Sequence, residues 1–154
     1  MEGRLLRSTW IGLQLLAAAV LAFAGNTCTQ ISLQGAVPGL RGTSWQLVQY
    51  QGSDDKTLTP DVKTKYTVAF GPDGALSARI DCNRGRGTWK SSGTSLQLGP
   101  LALTRAMCPP GSLHNHIVKQ WNYVRSYIIK DGHLFLSLVA DGGTYEFEPS
   151  QCRA

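Results

Sequence analysis

Turn signals recur at short intervals from Leu40 to the end of the chain, and this punctuation limits the fold more than any other feature. Gly71-Pro72-Asp73-Gly74, Ser92-Gly93, Pro109-Pro110-Gly111, Asp131-Gly132 and Asp141-Gly142-Gly143 each interrupt the chain before an apolar run can grow long. The segments between them are too short for most helices and match the usual length of sheet strands. A chain cut this finely buries its apolar residues by laying short strands side by side.

The segments themselves have strand character. Ser44 to Tyr50 alternates, with Trp45, Leu47 and Gln49 on one side and Gln46, Val48 and Tyr50 on the other. Gly52 to Lys65 is polar, and Tyr66 to Phe70 then runs through a turn into Ala75 to Ile80 as a hairpin. Gly87–Ser91, Ser95–Leu98, Leu101–Arg105, Tyr127–Lys130, His133–Val139 and Thr144–Glu148 are further strands. Asp-Gly between two apolar runs is a strong hairpin signal at Asp131-Gly132. The period changes once: Leu113, Ile117, Trp121, Val124 and Tyr127 fall at helical spacing behind Ser112 as N-cap. The expected fold is α+β and mostly β, a strongly curved antiparallel sheet or partial barrel closed by one α-helix over about residues 112–125. Trp45, on the inward register of the first strand, and Trp121, on the helix stripe, are expected core residues, and the remaining aromatic residues scatter as one core would require.

Ahead of this domain, Arg4 and Arg7 precede an apolar run from Trp10 to Leu21 and the small-x-small triplet Ala22-Phe23-Ala24. That order reads as a secretory signal peptide over residues 1–24, cleaved before Gly25. The run is interrupted by Gln14 and too short to span a bilayer comfortably, so no stable membrane span is expected in the mature chain. Cys28 lies close to the cleavage point, but Gly25-Asn26-Thr27 is a poor lipoprotein signal, which points away from lipid attachment. Residues 25–39 are polar and turn-rich and read as a tether, followed by a single domain over residues 40–152. Cleavage removes Arg4, Arg7 and Glu2 and takes the formal charge from +5 to +4. Spread along the chain, that charge is ordinary solubility rather than a sign of a polyanionic partner. All four cysteines, Cys28, Cys82, Cys108 and Cys152, survive cleavage. An even count in an exported chain reads as disulfides, with three pairings open, and the lack of any C-x-x-C pair removes the redox and zinc-ribbon readings.

Several strings resemble one known family. Leu40-Arg41-Gly42-Thr43-Ser44-Trp45-Gln46-Leu47 is similar to the opening of the META domain family, the group of HslJ-like bacterial heat-shock and envelope proteins. Phe70 with Asp73-Gly74-Ala75-Leu76-Ser77, then Asp81-Cys82-Asn83 and Gly87-Thr88-Trp89, Leu103-Thr104-Arg105-Ala106-Met107-Cys108-Pro109, and finally Leu134-Phe135-Leu136 through Tyr145-Glu146-Phe147 follow in the family's order. Asp81 departs from it, standing where the family usually has Gly, the residue that enters positive φ freely. The resemblance implies a single-domain α+β fold, exported or tethered in bacteria, connected with stress or envelope physiology, with no established catalysis and no catalytic residues to carry over. Because Cys82 and Cys108 each adjoin a family-like segment, their pairing is expected, which leaves Cys28 for Cys152.

Candidate chemistry is sparse. Cys82-Asn83-Arg84-Gly85-Arg86-Gly87 can be read as an anion-binding loop using Asn83, Arg84 and Arg86, or as a tight turn anchored by Asn83 and stapled through Cys82. The second reading is preferred because no phosphate-loop spacing is present. His114 and His116 lie two apart, which on a helix points them in different directions, so a solvated helix face is expected rather than a metal site. Glu146 and Glu148 share one strand face, His133 has no partner in sequence, and no G-x-S-x-G string occurs. No metal, cofactor or nucleic-acid partner is expected. The reading is an exported, monomeric, non-enzymatic, periplasmic or secreted module that binds or supports an unknown envelope protein or small ligand. The alternative is an inhibitor or small-ligand carrier using the concave face of the sheet.

Overall fold

The computed structural model describes residues 39–150. These residues form ten strands and one α-helix. The strands are β1 (Thr43–Gln51), β2 (Thr57–Leu58), β3 (Tyr66–Phe70), β4 (Ala75–Ile80), β5 (Asn83–Ser92), β6 (Ser95–Leu98), β7 (Ala102–Leu103), β8 (Val124–Lys130), β9 (His133–Leu138) and β10 (Thr144–Pro149); the helix, α1, is His114–Gln120. The main path runs β10-β9-β8-β6-β5-β4-β3-β1, and β10 pairs back onto β1, so eight antiparallel strands close into a barrel. β2 extends β1 at Tyr50 and Leu58, and β7 pairs with β5 opposite Gly85. The expected curved sheet is therefore mostly β as read from sequence, and its closure is complete.

Period-two alternation builds the wall. Tyr66, Val68 and Phe70 of β3 point inward, as do Leu76, Ala78 and Ile80 of β4 and Leu134, Leu136 and Leu138 of β9. Trp45, Leu47 and Trp89 join them, and Phe70 meets Trp89 edge to face at 5.4 Å between ring centres. The Trp89 indole N–H, which burial would otherwise leave unpaired, donates to the Gly71 carbonyl at 3.1 Å. Gly85 faces the same interior, where a Cβ would stand 2.7 Å from Leu103 and 2.8 Å from Leu101, so the missing side chain is what lets these two leucines fill the barrel.

Two local features differ from the expectation. β1 does not alternate to its end: its register against β10 shifts between Leu47 and Gln49, leaving Val48 as the extra residue of a β-bulge. The shift reverses the inward parity, so Tyr50 is buried instead of facing outward with Gln46. The helix is also shorter than the apolar spacing implied. α1 ends at Gln120, a 3-10 turn carries Trp121–Tyr123, and Val124 begins a strand. Val124 and Tyr127 kept the helical spacing by coincidence, and pairing with β9 outweighs it. Ser112 still serves the helix start, its hydroxyl accepting from the His114 N–H at 3.1 Å, one residue ahead of the Leu113 cap.

Trp45 is buried, whereas Trp121 packs against the core from the 3-10 turn and stays half-exposed, its indole N–H donating to the Gly99 carbonyl at 3.1 Å. Replacing Trp45 with Ala is expected to cost about 3–5 kcal/mol, and Trp121→Ala clearly less, in urea unfolding of the two variants. Equal losses would show that the 3-10 turn is as deeply packed as the barrel wall.

Candidate functional site

Asn83 and its neighbours form the most densely bonded polar group of the barrel. The hairpin between β4 and β5 turns at Asp81 and Cys82, and Asp81 has φ of +56°, the left-handed region that a Gly would enter freely and that Asp tolerates better than most residues. Its N–H donates to the Lys65 carbonyl at 2.8 Å, and its own carbonyl accepts from Arg79 Nε at 3.1 Å, which holds the turn. Asn83 is almost fully buried. Its Oδ1 accepts from Thr104 Oγ1 at 2.9 Å and from the Ala106 N–H at 2.8 Å, and its Nδ2 donates to the Ala106 carbonyl at 2.9 Å. One side chain thus stands in for a strand partner and pins the segment after β7 to the start of β5. A disulfide joins Cys82 to Cys108 across the same contact, with Cα atoms 5.4 Å apart and a sequence separation of 26. Cys28 and Cys152 lie outside the described residues.

The string read as an anion loop is therefore a turn and the first residues of a strand. Asn83 points inward with both ends of its amide engaged, while Arg84 and Arg86 lie on the outward face of β5, exposed and without a carboxylate partner among the described residues.

At one end of the barrel α1 lays His116 between two tyrosines. The His116 ring is 4.5 Å from Tyr50 and 6.2 Å from Tyr145, centre to centre. Tyr145 Oη donates to Gln120 Oε1 at 2.8 Å, Gln120 Nε2 donates to Tyr50 Oη at 3.3 Å, and Tyr50 Oη donates to the Gly142 carbonyl at 2.6 Å. The histidines are half-buried rather than fully solvated. Nε2 of both His114 and His116 is buried without a hydrogen-bond partner among the described residues. Burial, with Lys119 adding to it, holds the His116 imidazole below its ordinary range, and burial pushes the Tyr145 phenol upward. Among the described residues no group of three or more His, Cys, Asp or Glu gathers to hold a metal ion.

The strand carboxylates are tied into a surface network on β1, β9 and β10. Gln46 donates to Glu148 at 2.7 Å and Gln49 to Glu146 at 2.8 Å, while Lys63 Nζ lies 2.9 Å from Glu148 and His133 Nδ1 2.7 Å from Glu146. Lys63 foremost, with Gln46, holds the Glu148 carboxyl below its ordinary range. His133 and Glu146 make a pair that sequence reading missed because only the β9–β10 register brings them together. Tyr50 and Gln120 were missed for a related reason, the bulge in β1. Among the described residues no serine or cysteine side chain hydrogen-bonds to the pair.

The concave sheet face that a carrier would use is the barrel interior, and side chains fill it. The space left among Leu47, Tyr66, Val68, Ile117, Trp121 and Phe147 is about 30 Å³, room for little more than a water molecule.

Two outcomes follow from these contacts. Reducing the Cys82–Cys108 bridge, or replacing both residues with Ser, should lower stability by about 3 kcal/mol on the loop-closure estimate, measured by urea unfolding. An unchanged midpoint would mean that Asn83 alone holds the segment. Because His116 titrates lower folded than unfolded, the unfolded chain binds more protons, and stability is present above about pH 6.5 and is lost as pH falls below it. The melting temperature should fall from pH 7.5 to pH 5.5, more steeply than in His116→Phe, whose ring keeps the contacts with Tyr50 and Tyr145 without a charge. Parallel profiles would place the acid sensitivity elsewhere.

The architecture is shared by solved structures. An NMR structure of a protein from Burkholderia xenovorans is similar to this chain with a TM-score of 0.64 at 19% identity, covering 77% of this chain and 95% of that one. A crystal structure of a DUF4847 family protein from Bacteroides vulgatus is similar with a TM-score of 0.54 at 16% identity, over 73% and 95% of the two chains. A further NMR structure gives 0.52 at 24% identity, over 70% and 89%. At these identities the likeness is one of fold. No curated protein matches the chain in sequence. The sequence profile of the META domain matches residues 38–151, a span that contains the whole barrel and its disulfide, and the chain belongs to the META domain family.

Proposed function

We propose that this chain is an exported META module of the bacterial envelope that works by binding on its outer surface rather than by catalysis. The observation that carries this reading is the packed barrel: the pocket lined by Leu47, Tyr66, Ile117 and Phe147 has room for only about 30 Å³, so chemistry with a partner belongs to the outside of the wall. The disulfide between Cys82 and Cys108 supports an oxidising compartment. The order of charge, apolar run and small residues in Met1–Ala24 supports export by a cleaved signal peptide, with residues 25–39 as tether and Cys28 free to pair with Cys152. No helix of the described residues is long and apolar enough to cross a membrane. Arg84 and Arg86, side by side on the outward face of β5, are the part of the wall best suited to an anionic group, since guanidinium forks match carboxylate and phosphate oxygens. The role in stress or envelope upkeep rests on the family alone.

Expression of the full chain in a bacterial host tests the export reading. The recovered protein should start at Gly25 by intact mass, appear in the osmotic-shock fraction and carry no free thiol. A cytoplasmic product that retains Met1, or a product with a lipid on Cys28, would overturn it.

A further inference from the structure

Positive charge is not spread along this chain. From Cys82 to Lys130 there is no aspartate or glutamate, and the described carboxylates lie before that stretch, from Asp54 to Asp81, or after it, from Asp131 to Glu148. In the barrel the stretch becomes three neighbouring strands, β5, β6 and β8. The wall they form carries Arg84, Arg86, Lys90, Arg125 and Lys130, none with a carboxylate partner among the described residues. Arg84 stands directly opposite Arg79 across the β4–β5 ladder, a like-charge pairing that costs stability.

The same wall carries a surface groove. β6 and β8 pair only at Ser95 and Ser126, with the Tyr127 N–H donating to the Thr94 carbonyl at 2.8 Å, and then diverge. The divergence leaves an open groove of about 630 Å³, a volume in the range of small-ligand sites. Two cations, Lys90 and Arg125, line it, with Ser92, Ser95, Gln97 and Asn122 among the polar groups beside them. Arg125 is already positioned: its Nη1 donates to the Asn122 carbonyl at 2.8 Å and the Val124 carbonyl at 3.0 Å, which leaves Nε and Nη2 directed elsewhere.

We infer that this groove is a docking site for a linear anionic polysaccharide, whose carboxylate or phosphate groups meet Lys90 and Arg125 and whose hydroxyls meet the serine, glutamine and asparagine side chains. The charge is complementary and needs no rearrangement of acids, because there are none to displace. The lining holds no aromatic ring, so it offers no stacking platform for nucleobases, while its hydroxyl and amide groups match a sugar chain. A lipid surface would meet the exposed arginines of β5 through charge alone, without use for the amide groups of Gln97 and Asn122. The inference rests on the reading of the chain as an outer-surface binding module and deepens it. The two can fail separately, since export is read from the processed N-terminus and the groove from a titration.

The test titrates the full chain at low salt with polygalacturonate and with phosphomannan, beside neutral dextran, a DNA duplex and phosphatidylglycerol vesicles. Binding of at least one anionic glycan, weakened by added salt, is expected. Lys90→Gln with Arg125→Gln should weaken it about tenfold or more. Lys56→Gln, on the exposed loop after β1 and outside the wall, should leave it unchanged. Equal melting temperatures of the variants and the parent show that the double variant folds; if it does not, each single variant is read in its place. The inference is overturned if neither anionic glycan binds, if dextran binds as well as they do, if Lys56→Gln costs as much as the double variant, or if the duplex or the vesicles bind more tightly than both glycans.

Discussion

The pairing of β1 with β10 is the contact on which this structure depends. A sheet of eight short strands leaves two rows of unpaired backbone groups, and curling until the first strand meets the last removes both. Closure also creates a single interior, so every strand has one parity that must be apolar and one that faces water. The cost falls on residues that do not fit the wall, and here it is met by a bulge at Val48, by Gly85, and by an aspartate in the left-handed region at the β4–β5 turn.

The bulge has the widest consequences. By reversing the parity of β1 it turns Tyr50 inward, beside Tyr145, and these two rings make the seat for α1, which meets them through His116 and Gln120. A helix this short has little stability of its own, and it is held by that seat and by Ile117 and Trp121 against the core. An imidazole whose Nε2 is buried without a partner among the described residues ties this junction to pH. Asn83 and the Cys82–Cys108 bridge fasten the irregular segment between β7 and α1, which no long ladder supports.

With the inside filled, function moves to the wall, and the wall is electrically divided. The carboxylates of β10 are bound by Gln46, Gln49, Lys63 and His133 on one side. The strands β5, β6 and β8 hold cations and no acids on the other. Such a division costs some stability through like-charge repulsion and is relieved by an anionic partner, which is why the groove between β6 and β8 attracts more interest than the well-packed cavity inside.

The sequence by itself determined the strand segments, the hairpin turns, the mostly β class, the family and the anchoring part played by Asn83, because alternation and turn chemistry are local and are written in neighbouring residues. Val48 as a bulge, the early end of α1 and the inward turn of Tyr50 were decided by the tertiary structure, since each follows from a register between strands far apart in the chain. The same reason hid the site. His133 meets Glu146, Lys90 shares a groove with Arg125, and Arg84 faces Arg79 only once the ladders align, while a charge summed over the whole chain conceals which wall carries it. Local propensity names the elements, and closing the ring decides which side chains share a face.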